Sequence, residues 1–131
     1  MMGANINRVG WPKCGEVDVL ENYGNSAVVQ TSVHTPNPSG TGVFTKYADT
    51  TVDDRRHNWR VQWNPGTEGF TFYKDGAKYL AVDPTQMPGW CFNSGAPMFM
   101  LLNLAIGGAA GPPPPSTRFP VDMLVDYIHV W

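Results

Sequence analysis

The chain has 131 residues, a net charge of −2 and a pI near 5.8, which suits a single domain. Hydrophobic residues make up 42% of it, which favours a globular core over global disorder. The chain has no basic field, so nucleic acid and anionic membrane surfaces are poor candidates for partners. No apolar run approaches the roughly 18 residues of a transmembrane helix, and no basic-then-apolar leader of the kind found in signal peptides is visible.

Short apolar runs bounded by Gly, Pro, Asn and Asp predict many short strands. In chain order the predicted elements are strands at 16–22 and 27–34, a loop at 36–42, a strand at 59–64, a hairpin centred on Asp75–Gly76, a strand at 96–108, an extended Pro-rich loop at 111–117 and a strand at 123–131. The sum is an all-β protein, a sandwich or jelly roll.

Three of these elements carry specific signals. Asp75–Gly76 tolerates the positive φ angles of a two-residue type I′ turn. The run 96–108 is apolar nearly throughout, which fits either a buried helix or a strand covered on both sides, and its flanking Gly and Pro favour the strand. In the strand at 59–64, Trp59 and Trp63 share a face, and we expect them in the core rather than on an exposed binding surface.

Three carboxylates, Glu16, Asp18 and Glu21, fall within six residues of an apolar strand. On a regular strand Glu16 and Asp18 share one face, whereas Glu21 points into the apolar interior, where an unpaired carboxylate is costly. A β-bulge at Val19–Leu20 would add one residue and bring all three acids to one face. The sequence leaves open which geometry occurs.

Two Glu residues flanking an Asp on one sheet face suit glycoside hydrolysis. A retaining enzyme needs two carboxyl groups about 5–5.5 Å apart, one as nucleophile and one as general acid/base. The negative charge of the central Asp18 would help to raise the pKa of the acid. The alternative is a solvated acidic strand face without catalytic meaning.

Cys14 and Cys91 could form one disulfide. Their spacing does not indicate a metal site, which would need clustered Cys or His ligands. Since cysteine is commonly buried unpaired, two free thiols are favoured over a bridge.

Four stretches resemble one known family in order along the chain. They read WPKCGEVDVLENYG from Trp11, RHNWRVQWNPGTEGFTFYKDG from Arg56, PMFMLLNLAIGG from Pro97 and FPVDMLVDYIHVW from Phe119. The chain is identified by them as similar to glycoside hydrolase family 16, in its laminarinase-like (endo-β-1,3-glucanase) branch. Residues 1–131 resemble the C-terminal part of a single catalytic domain of that family, since such domains are about twice this length.

The resemblance implies an all-β jelly-roll β-sandwich of the concanavalin A-like lectin/glucanase type, here incomplete, with a sugar-binding cleft on the concave sheet. Carried over, Glu16 is the nucleophile, Glu21 the acid/base and Asp18 the residue that modulates them. Trp11 forms a sugar platform beside the cut bond, and His34 is a cleft histidine. For His34 alone, an ordinary strand-end histidine is the competing interpretation.

Three further residues carry weaker expectations. Asn103 is a candidate for the cleft floor, and Trp90 is a candidate for either the cleft rim or simple loop packing. Asp126 matches a residue that joins a structural calcium site in many family members, although it could equally be an ordinary polar strand residue. The resemblance implies that catalysis needs no cofactor, with this structural calcium as the one metal expected.

The function implied is a retaining endo-β-glucanase that hydrolyses β-1,3-glucosidic bonds of laminarin-like or mixed-linkage glucans. The alternatives are a non-catalytic, lectin-like β-glucan-binding protein and an inactive truncated fragment. The family resemblance also implies a secreted, extracellular protein that is a monomer when complete. Part of a jelly roll should expose strand edges and apolar faces, so we expect this chain alone to be unstable or to aggregate.

Overall fold

The structure, a computed structural model, describes residues 1–24, 27–64, 69–93 and 96–131. The chain divides into two units, Met1–Leu101 and Leu102–Trp131. All the strands found among the described residues lie in the first unit. They are β1 (Met2–Gly3), β2 (Glu16–Glu21), β3 (Val28–Pro36), β4 (Val43–Thr51), β5 (Trp59–Asn64), β6 (Gly69–Lys74), β7 (Ala77–Val82) and β8 (Met98–Phe99).

The strands form two antiparallel sheets, with five strands in the order β4-β3-β2-β1-β8 and three in the order β5-β6-β7. In the part of the chain that the structure describes, helical structure is limited to one short α-helix, α1 (Ile6–Val9), and to 3₁₀ turns at Pro84–Gln86 and Gly108–Ala110. The described residues are therefore nearly all β, as expected of a jelly-roll β-sandwich fragment.

The core of the first unit lies between the two sheets. Alternate residues of β3 are buried on one side, including Val29, Thr31 and Val33, because successive side chains of a strand point to opposite faces. Phe70 on β6 is fully buried, and its ring centroid lies 4.9–6.3 Å from the ring centroids of four other aromatic residues, Trp63, Phe72, Trp90 and Phe92. The buried cluster consists of Val17, Val33, Phe70, Phe72, Val82, Met87 and Phe92.

The hairpin predicted around Asp75–Gly76 is confirmed. Asp75 has a φ of 50° and Gly76 a φ of 83°, the two positive angles that a type I′ turn requires. The predicted placement of the two tryptophans is also consistent with the structure. Trp63 stacks on Phe70 at 5.7 Å, and Trp59 meets Tyr79 edge-on at 6.3 Å.

The predicted strands at 96–108 and 123–131 are wrong over most of their length. Of the first run only Met98–Phe99 is a strand, paired with β1, and the second unit contains no strand at all, although every residue of 102–131 is described. Their apolar side chains are largely exposed, for example Ile106 and Leu124. Strand propensity reflects packing on a paired, half-buried sheet, and within this unit the two segments have no ladder partner.

Both cysteines are free thiols, as favoured from the sequence. The Cys14 thiol is buried and lies 3.5 Å from the sulfur of Met2. Burial raises the pKa of both thiols, that of Cys91 to about 11, which makes them poor nucleophiles. Among the described residues, none of the helices is long and apolar enough to cross a membrane.

Candidate active site

The three clustered acids of β2 meet on one face because the strand contains a bulge. Between the paired positions Asp18–Ser32 and Glu21–Gln30, β2 has two residues where β3 has one. Of the two geometries that the sequence left open, the structure therefore has the one with the extra residue. It returns Glu21 to the face of Asp18, and a single atom, Ser32 Oγ, lies 2.8 Å from Asp18 Oδ2 and 3.3 Å from Glu21 Oε2.

Two neighbouring residues support this local geometry. Thr31, opposite the bulge, donates its hydroxyl proton to the carbonyl oxygen of Val19 at 2.8 Å, which satisfies a bulge carbonyl with a side-chain donor. Gly15 precedes the first acid with a φ of 75°, and an added Cβ there would lie 2.5 Å from a ring carbon of Phe92. Only glycine fits such a close approach in that backbone region.

The antiparallel register extends the acidic strand into three rows across β2, β3 and β4. Residues directly opposite each other share a face and are in contact range. We call this surface the acidic face; its rows are Glu16–His34–Thr45, Asp18–Ser32–Tyr47 and Glu21–Gln30–Asp49.

Trp11 lies at the first row. Its indole Nε1 donates a 2.6 Å hydrogen bond to Glu16 Oε2, and its ring lies 6.2 Å from that of His34 at a tilt of 56°. The indole is 49% exposed, so a broad aromatic surface adjoins the carboxylate. Burial raises the pKa of Glu16, the charge of Asp18 raises it further, and the hydrogen bond from Trp11 acts in the opposite direction.

His34 links the first two rows. Its Nε2 lies 3.0 Å from Asp18 Oδ2 and 3.1 Å from Ser32 Oγ, and its Nδ1 lies 2.8 Å from Thr45 Oγ1. The hydrogen bond to Asp18 raises the pKa of His34, against the opposing effect of burial. A protonated imidazole beside a carboxylate is thereby favoured at this point.

Glu21 has two hydroxyl neighbours. One is Ser32, at 3.3 Å, and the other is Tyr23, which hydrogen-bonds its carboxylate. Burial, followed by that hydrogen bond to Glu21, raises the pKa of Tyr23 to about 12. Tyr23 therefore stays protonated over the whole working range of a carboxylate.

The same cluster meets the spatial requirement for a cation. Glu16, Asp18 and His34 each offer one ligand atom, and these atoms lie within 4.8 Å of one another. Their hydrogen bonds to Trp11 and to Ser32 already account for this convergence. The arrangement therefore gives no separate evidence of a metal.

The structure brings together five of the residues singled out from the sequence: Trp11, Glu16, Asp18, Glu21 and His34. Their catalytic and binding roles stay predictions, although the convergence itself is now a structural fact.

The three other predicted residues lie elsewhere. Trp90 packs its ring against Phe70 at 5.6 Å and against Phe92 at 5.0 Å, the contacts of the loop-packing alternative. Asn103 and Asp126 belong to the second unit and are exposed there. The cleft-floor role of Asn103 and the calcium role of Asp126 therefore stay predictions.

Sequence reasoning missed five residues of the acidic face: Gln30, Asp49 and three that lie closest to the carboxylates and His34. Ser32 is completely buried beneath the carboxylates, Thr45 contacts His34, and Tyr47 is 57% exposed beside them. Ser32 could have been found from the parity of its strand, since it alternates with buried Thr31 and Val33. Thr45 and Tyr47 lie on a strand that was not predicted.

None of the protein-family models compared with the chain matches it. Over its whole length the chain is 29% identical to the clotting factor G alpha subunit of Tachypleus tridentatus, of which it covers 20%. It is 32% identical over 92% of its length to the endo-1,3-1,4-beta-glycanase EglC of Rhizobium meliloti, of which it covers 24%. It is 29% identical over 92% of its length to the beta-glucanase of Rhodothermus marinus, of which it covers 46%.

The chain thus spans less than half the length of each of these relatives. Two of the three are named for the hydrolysis of β-linked glycans. Together with the ordered motifs and the all-β architecture, these similarities support the resemblance of the chain to glycoside hydrolase family 16.

Proposed function

We propose that this chain carries the catalytic acids of a retaining endo-β-glucanase that cleaves β-1,3-glucosidic bonds in laminarin-like or mixed-linkage glucans. The observation that carries the proposal is the convergence of Glu16, Asp18 and Glu21 on one face across the bulge of β2. The names of two relatives support the substrate class.

The roles follow a double displacement. The Glu16 carboxylate attacks the anomeric carbon while Glu21 donates its proton to the departing glycosidic oxygen. In the second step Glu21 takes a proton from water, the resulting oxygen nucleophile attacks the same carbon, and Glu16 is released as a carboxylate. Burial and the charge of Asp18 raise the pKa of Glu16, and the hydrogen bond from Trp11 opposes them by favouring the ionised form that this role requires.

Two exposed aromatic rings extend the acidic face toward a substrate. Trp11 lies at the first row and Tyr47 at the second, on β4. The flat face of an aromatic ring offers apolar area that a sugar ring can cover. We assign both rings to glucan binding, with Trp11 beside the cut bond.

The wider setting is part of the same proposal. Residues 1–131 form the C-terminal part of a single catalytic domain, which fits the share of each relative that the chain covers. The partner is a β-glucan polysaccharide, the complete protein is a monomer, and it acts outside the cell, where it meets polymeric glucan. Catalysis uses protein groups alone, and any calcium is structural.

A reducing-sugar assay tests the catalytic proposal. The purified chain is given β-1,3-glucan, mixed-linkage glucan and β-1,4-glucan in parallel, and we expect product from the first or second only. Glu16→Gln should abolish turnover while glucan binding persists. Asp54→Asn, which removes an exposed acid outside the acidic face, is the control that should keep wild-type rates. Substantial turnover by Glu16→Gln would contradict the nucleophile assignment.

The stereochemistry is tested separately by proton NMR of the first-formed product. A retaining enzyme releases the β-anomer initially, which then mutarotates. Initial release of the α-anomer would contradict the double displacement.

A second candidate is a glucan-binding protein without activity, favoured by one observation: one relative is named as a clotting factor subunit rather than as a hydrolase. The presence of all three acids favours the enzyme. Glucan binding without reducing sugar from any of the three polymers would establish the second candidate.

A further inference from the structure

Ser32 occupies the centre of the acidic face and is completely buried. Its hydroxyl oxygen lies 2.8 Å from Asp18 Oδ2, 3.3 Å from Glu21 Oε2 and 3.1 Å from His34 Nε2. The predicted family motifs give this serine no role. The Ser32 hydroxyl is therefore buried and within hydrogen-bond distance of three titratable groups.

The count of protons decides what this hydroxyl can do. A serine has one O–H donor and two acceptor lone pairs. An ionised carboxylate only accepts, so Ser32 can satisfy Asp18 or Glu21 fully, but not both at once. His34 Nε2, when it carries a proton, donates to Asp18 or to the free lone pairs of Ser32. In the structure the hydrogen bond from Ser32 to Asp18 is shorter than the one from Ser32 to Glu21.

We propose that Ser32 is a positioning residue whose single O–H alternates between Asp18 and Glu21 as the charge of Glu21 changes during the two displacements. This rests on the proposed function. While Glu21 holds its proton, it needs no donor and Ser32 donates to Asp18. Once Glu21 has given its proton to the departing oxygen, its carboxylate attracts the same O–H, and rotation about the Cβ–Oγ bond supplies it. The hydroxyl proton stays bonded to Ser32 throughout.

The buried position of Ser32 makes this donation effective. Hydrogen bonds to charged groups strengthen when water is excluded. The donor also sits on the central strand of the acidic face, whose backbone is paired on both sides, so the oxygen is held while only the proton moves. The titratable groups of the acidic face around it are Glu16, Asp18 and Glu21 on β2, His34 on β3, and Tyr47 and Asp49 on β4. Tyr23 and the amino terminus of Met1 interact with the same three carboxylates.

Two substitutions and one matched control test the proposal in the full chain. Ser32→Ala removes the donor with almost no change of volume, and Ser32→Thr keeps it. Thr35→Val removes another fully buried hydroxyl of β3, which bonds the carbonyl of Pro88 away from the acids. Carbon NMR of the side-chain carboxyl groups gives the pKa of Asp18 and of Glu21 in each variant, without substrate.

Loss of a donor to a carboxylate disfavours its charged form. Ser32→Ala should therefore raise the pKa of both carboxyls, whereas Ser32→Thr and Thr35→Val leave them as in the wild type. With β-glucan, Ser32→Ala should lower kcat about ten- to a hundredfold, the scale of a hydrogen bond to a charged group, with KM unchanged. The alkaline limb of its kcat/KM profile should move to higher pH, because Glu21 keeps its proton longer.

The outcome that overturns the proposal is a Ser32→Ala chain whose two carboxyl pKa values match those of Thr35→Val. If Ser32→Ala does not fold, the test uses the wild-type chain. The Ser32 Cβ chemical shift should then change with the ionisation of Glu21, and a chemical shift that does not change with it overturns the proposal. These NMR readings are independent of turnover. A wild-type chain that shows them but cleaves no glucan overturns the proposed function and leaves the positioning role in place.

Discussion

The indole of Trp11 donates a 2.6 Å hydrogen bond to the carboxylate of Glu16. One side chain therefore combines an exposed aromatic face with a donor that acts on the proposed nucleophile. The two contributions are separable, because phenylalanine keeps the aromatic face and lacks the N–H.

Trp11→Phe should move the acidic limb of the activity profile to higher pH. Burial raises the pKa of Glu16 and the hydrogen bond from Trp11 acts to lower it, so loss of that bond should raise the pKa further. The measurement is kcat/KM on β-glucan against pH. Trp11→Ala should show the same displacement and also a raised KM. An unchanged acidic limb in the Phe variant would show that the hydrogen bond has no influence on Glu16.

Thr31→Val should weaken both the fold and the activity. The substitution keeps the shape of the side chain and removes the donor to the carbonyl of Val19 in the bulge, at a cost of about 1–3 kcal/mol for an unsatisfied buried acceptor. Urea denaturation gives the stability. Because the bulge sets the position of Glu21, turnover per folded molecule should fall as well. Thr35→Val is the control and should lose stability alone. Full turnover by folded Thr31→Val would contradict the link between bulge and activity.

Gly15→Ala should destabilise the chain more than Gly24→Ala. Both glycines have a φ of 75°, but an added Cβ at Gly15 meets Phe92 at 2.5 Å and Cys91 at 2.9 Å, whereas at Gly24 it meets no heavy atom within 4 Å. Gly24→Ala therefore reports the strain of the backbone region alone, about 1–3 kcal/mol. Thermal or urea unfolding measures both. Equal losses would mean that packing against Phe92 does not constrain the residue before Glu16.

The ion pair between His34 and Asp18 should stabilise the fold at acidic pH and lose its effect as the pH rises. The pKa of His34 is raised in the folded state. Its contribution is then fully present below the unfolded value of about 6.5 and is lost as the pH rises through the folded value. The difference in unfolding free energy between the wild type and His34→Gln should shrink over that range. In an Asp18→Asn background the pH dependence of this difference should vanish, and its persistence there would assign it to another partner.

Residues 102–131 should exchange their backbone amides faster than the strands of the first unit. Every residue of this segment is described, it contains no strand, and its apolar side chains are largely exposed. Amides without ladder partners and with little burial open at low cost. Hydrogen exchange followed by mass spectrometry measures this, with β3 as the internal reference. The same exposed surface is the reason to expect aggregation, and a sharp cooperative unfolding of the monomer by circular dichroism would contradict that expectation.

Strand β2 shows which features of the site the sequence determines and which depend on the neighbouring strand. The spacing of Glu16, Asp18 and Glu21 sets out two geometries, one with a bulge and one with a buried acid, and the cost of burying a charge is already readable from residue types. The choice between them depended on the neighbouring strand. The pairing of Gln30 and Ser32 with β2, and the hydroxyl of Thr31 at the bulge, settle the register.

Local chemistry determined the elements whose pairing partners lie close in sequence. The type I′ turn at Asp75–Gly76 and the strand at 59–64 follow from backbone preference and alternation. The strand at 43–51 was not predicted, because Lys46, Ala48 and Asp49 are all poor strand formers. Its pairing with β3 overrides that preference.

In contrast, the apolar runs at 96–108 and 123–131 have sequences typical of strands but, apart from Met98–Phe99, form no strand. A strand is stabilised by a hydrogen-bonded neighbour, and a sequence pattern does not contain that neighbour. The sequence by itself thus determined the family resemblance, the acids and the break in their phase, because those depend on residue type and spacing. Only the tertiary structure decided which buried hydroxyls and rings surround the acids, because Ser32, Thr45 and Tyr47 reach them through pairing between strands.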